Sequence, residues 1–512
     1  MDRHLSRLAD AVLQPGFVGL TPPDWVRHRV ADGLGSVLLY ARNIQSPEQV
    51  AALTAALRAD APDLVICIDE EAGDVTRLEA RTGSSRPGNL ALGAADDPEL
   101  TSAVARHLGH DLAALGITLD YAPDADVNSN PDNPVIGVRA FGADPELVAR
   151  HTVAWVRGLQ SAGVAACAKH FPGHGDTGVD SHHDVPVIAA DRAALDACEL
   201  LPFRAAIDAG VLAVMTGHLV VPAIDADRPA TLSRPILTGL LREEMGFGGL
   251  IVTDGIEMQA VARRYGLAGA AVAALAAGAD AVCVGGEHAD EETAAGLRDA
   301  IAAAVRTGDL AEERLIDAAA RIAAVAAWSR AQRDGAGAAT RVAHPGLVAA
   351  RRALHTTVVP GTRPWPLSVA PHVVELSPVV NMAIAPETPW GLYAPLSALL
   401  PGTTGARVDQ QQVAGEADAT TTADATLRAA AGRPLVVAVR DAHRHPWVTG
   451  MLARLLAARP DAIVVEMGVP AAALGATQIT SYGASTACGQ AVAELLAGVV
   501  PTGAVAEPVL AR

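Results

Sequence analysis

The sequence predicts an α/β protein in which a (β/α)8 TIM-type barrel is followed by a smaller αβα sandwich. Three observations carry this expectation. The chain has 512 residues, more than one ordinary core organises. Short apolar runs recur along it, separated by Ala-rich helical patterns, and they are nearly continuous rather than alternating, as parallel strands covered on both faces should be. Polar residues of catalytic type gather directly after those runs, where parallel α/β folds keep their chemistry.

The apolar runs lie at residues 17–20, 36–40, 64–68, 117–121, 164–168, 212–215, 250–252 and 281–284. Eight such strands alternating with helices predict a barrel over residues 1–333. A doubly wound open sheet is the alternative, but no G-x-G-x-x-G follows any of the runs. A helical pattern ends near Trp328, and the small, polar stretch 330–339 places an interdomain linker at 334–344. From 345 to 512 the alternation resumes, with strands expected at 372–376, 435–439 and 462–466, which predicts the αβα sandwich. Residues 401–424 are rich in Thr, Gly, Ala and Asp, and that composition predicts a loop or a weakly ordered connection.

Hydrophobic residues make up 50% of the chain and charged residues 19%, a balance suited to a packed globular protein. The formal net charge of −18 and the lack of any Lys/Arg-rich run exclude nucleic acid and anionic membrane as expected partners. Residues 1–12 carry no apolar segment of signal-peptide length, and no stretch of 18 apolar residues occurs. Cys67, Cys167 and Cys283 fall in predicted strands, Cys198 and Cys488 in helical patterns, so free buried thiols are expected. The reading is a cytoplasmic protein.

The densest group of catalytic residue types follows the run at 164–168. It begins Lys169-His170-Phe171-Pro172-Gly173-His174-Gly175-Asp176 and continues to Asp180, Ser181, His182, His183 and Asp184. Other strand ends carry Asp69, Glu70, Glu71 and Arg77; Asp124, Asp126 and Asn128, then Arg139; Thr216 and His218; and Thr253 and Asp254. A carboxylate at a strand end, such as Asp254, is able to act as nucleophile or as electrostatic partner to a developing cation. Glycoside cleavage also needs a proton donor for the leaving oxygen. Asp180 and His182 point the same way along an extended loop, so the carboxylate would orient an imidazole that exchanges protons near neutrality. The glycines suggest a loop that closes over substrate.

Plainer roles are weighed beside these. His170, His174 and His182 with Asp176 and Asp180 would suit a divalent ion, but Pro172, Gly173 and Gly175 oppose the helix that a His170/His174 ligand pair needs. No metal and no cofactor are expected. His174 is expected to pin the loop, and Glu257 to cap or face a helix. Asp126 and Asn128 either brace the rim or touch substrate. The loop 440–447 is expected to be solvated or to form an interdomain contact.

Lys169-His170-Phe171-Pro172-Gly173-His174-Gly175, with Asp180-Ser181-His182 beyond it, resembles the signature of the β-N-acetylhexosaminidases of glycoside hydrolase family 3. Asp69-x-Glu71-x-Gly73-x-Val75-x-Arg77, Asp126-Val127-Asn128, Ile136-Gly137-x-Arg139-x-Phe141-Gly142 and Thr253-Asp254 recur in that family's order, over roughly residues 10–330. The chain departs from the pattern at Ala72, where a Gly stands, at Asp74, usually an Arg, and at Val138, often an Asp. The resemblance implies Asp254 as nucleophile of a covalent glycosyl-enzyme and His182 as acid/base oriented by Asp180. It also implies Asp69, Arg77, Arg139, Lys169 and His170 as ligands of the terminal sugar. The expected activity is that of a retaining exo-β-N-acetylglucosaminidase acting on small cell-wall- or chitin-derived glycosides, with peptidoglycan recycling as the family-level context. The alternatives are a phosphorylase of the same family that uses phosphate as acceptor, and a non-catalytic sugar-binding protein. Because every inferred catalytic group precedes residue 260, the second domain is expected to supply stability, assembly or an outer wall.

Overall fold

The computed structural model describes residues 3–178, 185–335, 344–381, 383–499 and 509–510. The chain gathers into two units, one of residues 1–71, 101–136 and 142–342, the other of residues 72–100, 137–141 and 343–512. Two segments that lie within the sequence of the barrel region thus pack with the C-terminal part. The cause is local burial: helix Asn89–Ala95 places Ala91 in the same apolar cluster as Ala350 and Ala353 of helix Pro345–Ala353. Linear strand–helix patterning carries no information on where a long loop buries its apolar residues.

In the first unit the described strands are β1 (Leu13–Pro15), β2 (Ser36–Leu39), β3 (Val65–Ile68), β4 (Leu119–Asp120), β5 (Ala165–Phe171), β6 (Ala213–Thr216), β7 (Leu250–Thr253) and β8 (Val282–Val284). Strands β2 to β7 pair in chain order, β1 pairs with β8, and every pairing is parallel. Single parallel bridges, Gly16 to Leu38 and Val252 to Ala281, link the two runs at both ends, so the sheet is curled. Alternate strand residues, among them Val65, Cys67, Leu119, Ala165, Cys167, Ala213, Leu250 and Val252, form one apolar cluster with Ile322, Val325 and Ala326 of helix Glu312–Gly335. Because the strands are parallel, everything that follows their C-terminal ends lies at one rim.

The first strand is not the expected run at 17–20 but Leu13–Pro15. Gln14 and Pro15 disguise it, yet Gln14 is buried and its Oε1 accepts the Tyr121 hydroxyl at 2.5 Å, while Val18 is exposed. The last helix continues past Trp328 to Gly335, as the helix-favouring Arg330, Gln332 and Arg333 allow. Of the linker read at 334–344, residues 334 and 335 close that helix and 336–343 lie outside the described residues.

The second unit holds β9 (His355–Val358), β10 (His372–Ser377), β11 (Thr404–Asp409), β12 (Leu435–Val439), β13 (Ile463–Glu466), β14 (Thr477–Thr480) and β15 (Val509–Leu510). Their order is β11-β10-β12-β13-β14-β9-β15, parallel except where β9 meets β14. Val373, Val436, Ala438, Ile463 and Val465 face one apolar cluster, and Val374, Val437, Val439 and Val464 face another, so helices cover both faces. Residues 401–424 are not a loop. They form the edge strand β11 and much of helix Glu416–Ala429, in which Thr420, Thr421 and Thr426 hydroxyls donate to carbonyls four residues back.

Candidate active site

Strand β5 runs through Lys169 and His170 to Phe171, and its register against β6 shifts between Ala168 and Phe171. Lys169 is 2% exposed. An ammonium buried so deeply requires charged partners. Asp69, just past β3, is one, and Glu71, whose Oε1 lies 2.6 Å from Nζ, is another. His170, also buried, donates from Nδ1 to Asp126 Oδ2 at 2.7 Å and from its backbone N–H to Asp126 Oδ1 at 3.1 Å. The His174 backbone N–H reaches the same Oδ1 at 2.7 Å. Burial would raise the Asp126 carboxyl, but His170 and the donated hydrogen bonds outweigh it and hold it below the usual aspartate value. Asp126 therefore braces β5 and the loop after it. Asp124, Asp126 and His170 offer ligand atoms within 4.8 Å of one another. The hydrogen bonds to Asp126 already account for that grouping.

The glycines after β5 serve close packing. Gly173 has φ +126°, and a Cβ there would lie 2.6 Å from Glu199 Cβ. A Cβ on Gly175 would lie 1.6 Å from the Val127 carbonyl oxygen, so no other residue fits. His174 pins the turn as expected, with Nδ1 2.7 Å from Thr177 Oγ1, and Asn133 Nδ2 donates to the His174 and Gly175 carbonyls. Asp180 and His182 lie outside the described residues.

Asp254 follows β7 directly. Its Oδ1 accepts the Gly255 N–H at 2.7 Å, and its own N–H reaches the Thr216 carbonyl at the end of β6. His218 braces that turn. It is fully buried, donates from Nε2 to the Gly255 carbonyl at 2.9 Å, and holds Nδ1 2.8 Å from Thr231 Oγ1. Glu257 is structural too: Oε1 accepts the N–H groups of Gly285 (3.0 Å) and Gly286 (2.5 Å), and burial raises its carboxyl despite them. The Cys283 thiol inside the sheet is pushed well up by burial, and Glu257, Asp254, Cys67 and Asp69 all add to the effect. Asp69 follows β3 and Asp254 follows β7, and because these strands are parallel both stand at the same end of the curled sheet, where the Lys169 ammonium meets Asp69.

Arg77 and Arg139 belong to the second unit. Arg77 Nη1 donates to the Ala383 carbonyl at 2.9 Å, and Asn89 Nδ2 donates to the Arg139 carbonyl at 2.7 Å. Sequence reasoning noted Glu71 and His218 at strand ends without assigning them a role, and passed over Thr231. Glu71 was signalled only by lying two residues past Asp69, and His218 by standing at a strand end.

Residues 19–325 match the model of the Glycosyl hydrolase family 3 N terminal domain. The chain belongs to glycosyl hydrolase family 3. It is 36% identical over 314 residues to Beta-hexosaminidase A of Pseudoalteromonas piscicida, a match covering 57% of this chain and 52% of the relative. The chain thus spans about half the length of that relative. A Beta-hexosaminidase of Xanthomonas oryzae pv. oryzae is 42% identical over 269 residues, covering 51% of this chain and 78% of its own. Among solved structures, a glycoside hydrolase family 3 beta-N-acetylglucosaminidase from Paenibacillus sp. str. FPU-7 superposes with a TM-score of 0.85 at 35% identity, covering 99% of each chain. The similarity to that family 3 enzyme therefore includes the second unit as well as the first.

Proposed function

We propose that this family 3 protein is a retaining exo-β-N-acetylglucosaminidase that releases terminal β-linked GlcNAc from small cell-wall- or chitin-derived glycosides. The observation that carries the reading is the placing of Asp254, directly after β7, at the same end of a curled parallel sheet as the Asp69–Lys169 ion pair. The family relatives named as hexosaminidases support it. In this reading the strands β1 to β8 belong to a (β/α)8 barrel domain written along residues 1–333, with a linker at 334–344 and an αβα sandwich at 345–512.

The chemistry follows from the residue types. The Asp254 carboxylate attacks the anomeric carbon as the glycosidic bond breaks, and the leaving oxygen takes a proton from His182, which Asp180 orients. His182 then removes a proton from water. The resulting hydroxide displaces Asp254 from the face the leaving group vacated, so the product keeps the β configuration. Asp69, Lys169, His170, Arg77 and Arg139 bind the hydroxyls and the N-acetyl region of the sugar. No cofactor enters any step. The reaction runs in the cytoplasm, a reading supported by five cysteines that are all free thiols. Among the described residues no helix is long and apolar enough to cross a membrane.

The test compares initial rates on an aryl β-GlcNAc and an aryl β-glucoside, in phosphate and in a phosphate-free buffer. The proposal predicts a preference for GlcNAc, release of free β-GlcNAc and no need for phosphate. A sugar 1-phosphate product would identify a phosphorylase, and binding without turnover a sugar-binding protein.

A further inference from the structure

The departure at Asp74 has a partner far along the chain. Asp74 is buried, and its Oδ2 forms an ion pair with Arg440, which is buried as well and follows β12. Asp74 Oδ1 accepts the Ala484 N–H at 2.8 Å. All these residues belong to the second unit. Their setting is chemically specific. In the order β11-β10-β12 the chain steps from β10 to one side and returns on the other, so the C-terminal ends of β10 and β12 flank a switch point. Open parallel sheets offer ligands a crevice at such a point. Here Arg440 stands at that position, with its guanidinium 5.9 Å from the Trp390 ring. The loop around it is held by Glu466, which accepts the N–H groups of Asp441 (2.9 Å), Ala442 (3.2 Å) and Gly468 (2.7 Å). The anion that Arg440 engages is a carboxylate of its own chain, three residues before Arg77.

The contacts continue along that segment. Arg77 donates to the Ala383 carbonyl at 2.9 Å, Thr486 Oγ1 to the Thr82 carbonyl at 2.9 Å, and the Ala487 N–H to the Ser84 carbonyl at 3.1 Å. The 74–84 stretch is therefore held at four positions by residues beyond 380. An Arg in place of Asp74 would set two guanidinium groups against each other in a buried site.

We propose that Arg440 is a positioning residue for sugar binding: it captures Asp74 at the sandwich's switch point and so fixes the segment that presents Arg77. The inference rests on the reading of Arg77 as a sugar ligand given above. Residues beyond 343 then act on sugar binding through the placement of Arg77, and not only through stability.

The test is a double-mutant cycle on the full-length protein, with KM and kcat measured on an aryl β-GlcNAc. Arg77→Ala should raise KM on the order of tenfold or more, as loss of a charged hydrogen bond does. Arg440→Met should raise KM comparably with kcat within about twofold, the signature of lost binding rather than lost chemistry. In the Arg77→Ala background, Arg440→Met should add nothing further to KM. Arg440→Lys should recover part of the loss. Because Arg440→Met removes half of a buried pair, Asp74→Asn serves as the second variant; it keeps an acceptor for the Ala484 N–H and should show the same coupling to Arg77. An unchanged KM in folded Arg440 and Asp74 variants overturns the proposal, as does a KM increase of equal size in both backgrounds. An unchanged KM in Arg77→Ala overturns the assignment of Arg77 itself, and absence of aryl β-GlcNAc turnover by the wild-type protein overturns the functional reading.

Discussion

Asp126 offers the sharpest test of how the candidate site is held. Its carboxylate is fully buried and accepts three hydrogen bonds, two from His170 and one from His174. Asp126→Ala strands three buried donors at about 1–3 kcal/mol each, so the loss should be on the order of 5 kcal/mol. That is a large part of the roughly 5–15 kcal/mol margin of a typical fold. Asp126→Asn keeps an acceptor for the two backbone N–H groups and loses only the charge-assisted bond to His170 Nδ1, which should cost about 2 kcal/mol. The pH dependence has a definite sign. The folded carboxyl sits below the ordinary value of 3.8, so its contribution is complete above that value and is lost as pH falls through the lowered folded value. Urea titration followed by far-UV circular dichroism, repeated from pH 7 downward, measures both effects. The advantage of wild type over Asp126→Asn should stay constant to about pH 5 and narrow only below about pH 4. Asp126→Ala within 1 kcal/mol of wild type (an order-of-magnitude threshold), or a wild-type advantage that grows on acidification, would refute this account of the brace.

Two further substitutions probe other parts. His182→Ala should slow glycosides with poor leaving groups by about 10²-fold or more while sparing activated aryl glycosides, because only the former need a proton on departure; equal losses on both would reduce the residue to a sugar contact. Ala72 has φ +61°, a region that favours glycine, so Ala72→Gly should raise stability by about 0.5–1 kcal/mol, read as a higher melting temperature; a lower one would contradict the strain.

Much of this fold is legible in the sequence because buried parallel strands announce themselves as short apolar runs, as 65–68 and 435–439 do. Where the signal is polar the reading failed. The strand at 13–15 contains Gln14, whose side-chain oxygen accepts from Tyr121, a partner over a hundred positions away. The strands 355–358 and 477–480 are Thr-rich, and the 416–429 helix uses its threonines to bond its own carbonyls. In the site, strand-end position was enough to single out Asp69, Lys169, His170 and Asp254. It was not enough to pair Lys169 with Glu71 or His170 with Asp126, since those contacts join different strands. Nor did it show that 72–100 and 137–141, which carry Arg77 and Arg139, pack with residues beyond 343. The Asp74–Arg440 pair explains one departure from the family pattern, and no pairwise reading of a single sequence links positions that far apart.

The central claim is that Asp254 forms the bond to the sugar. Incubation with a 2-acetamido-2-deoxy-5-fluoro glycosyl fluoride, which forms the glycosyl-enzyme faster than it is hydrolysed, followed by proteolysis and mass spectrometry of the labelled peptide, tests it directly. The account predicts one adduct, on the Asp254 carboxylate, and none in Asp254→Asn. A label on Glu257, or time-dependent inactivation that persists in Asp254→Asn, would contradict it.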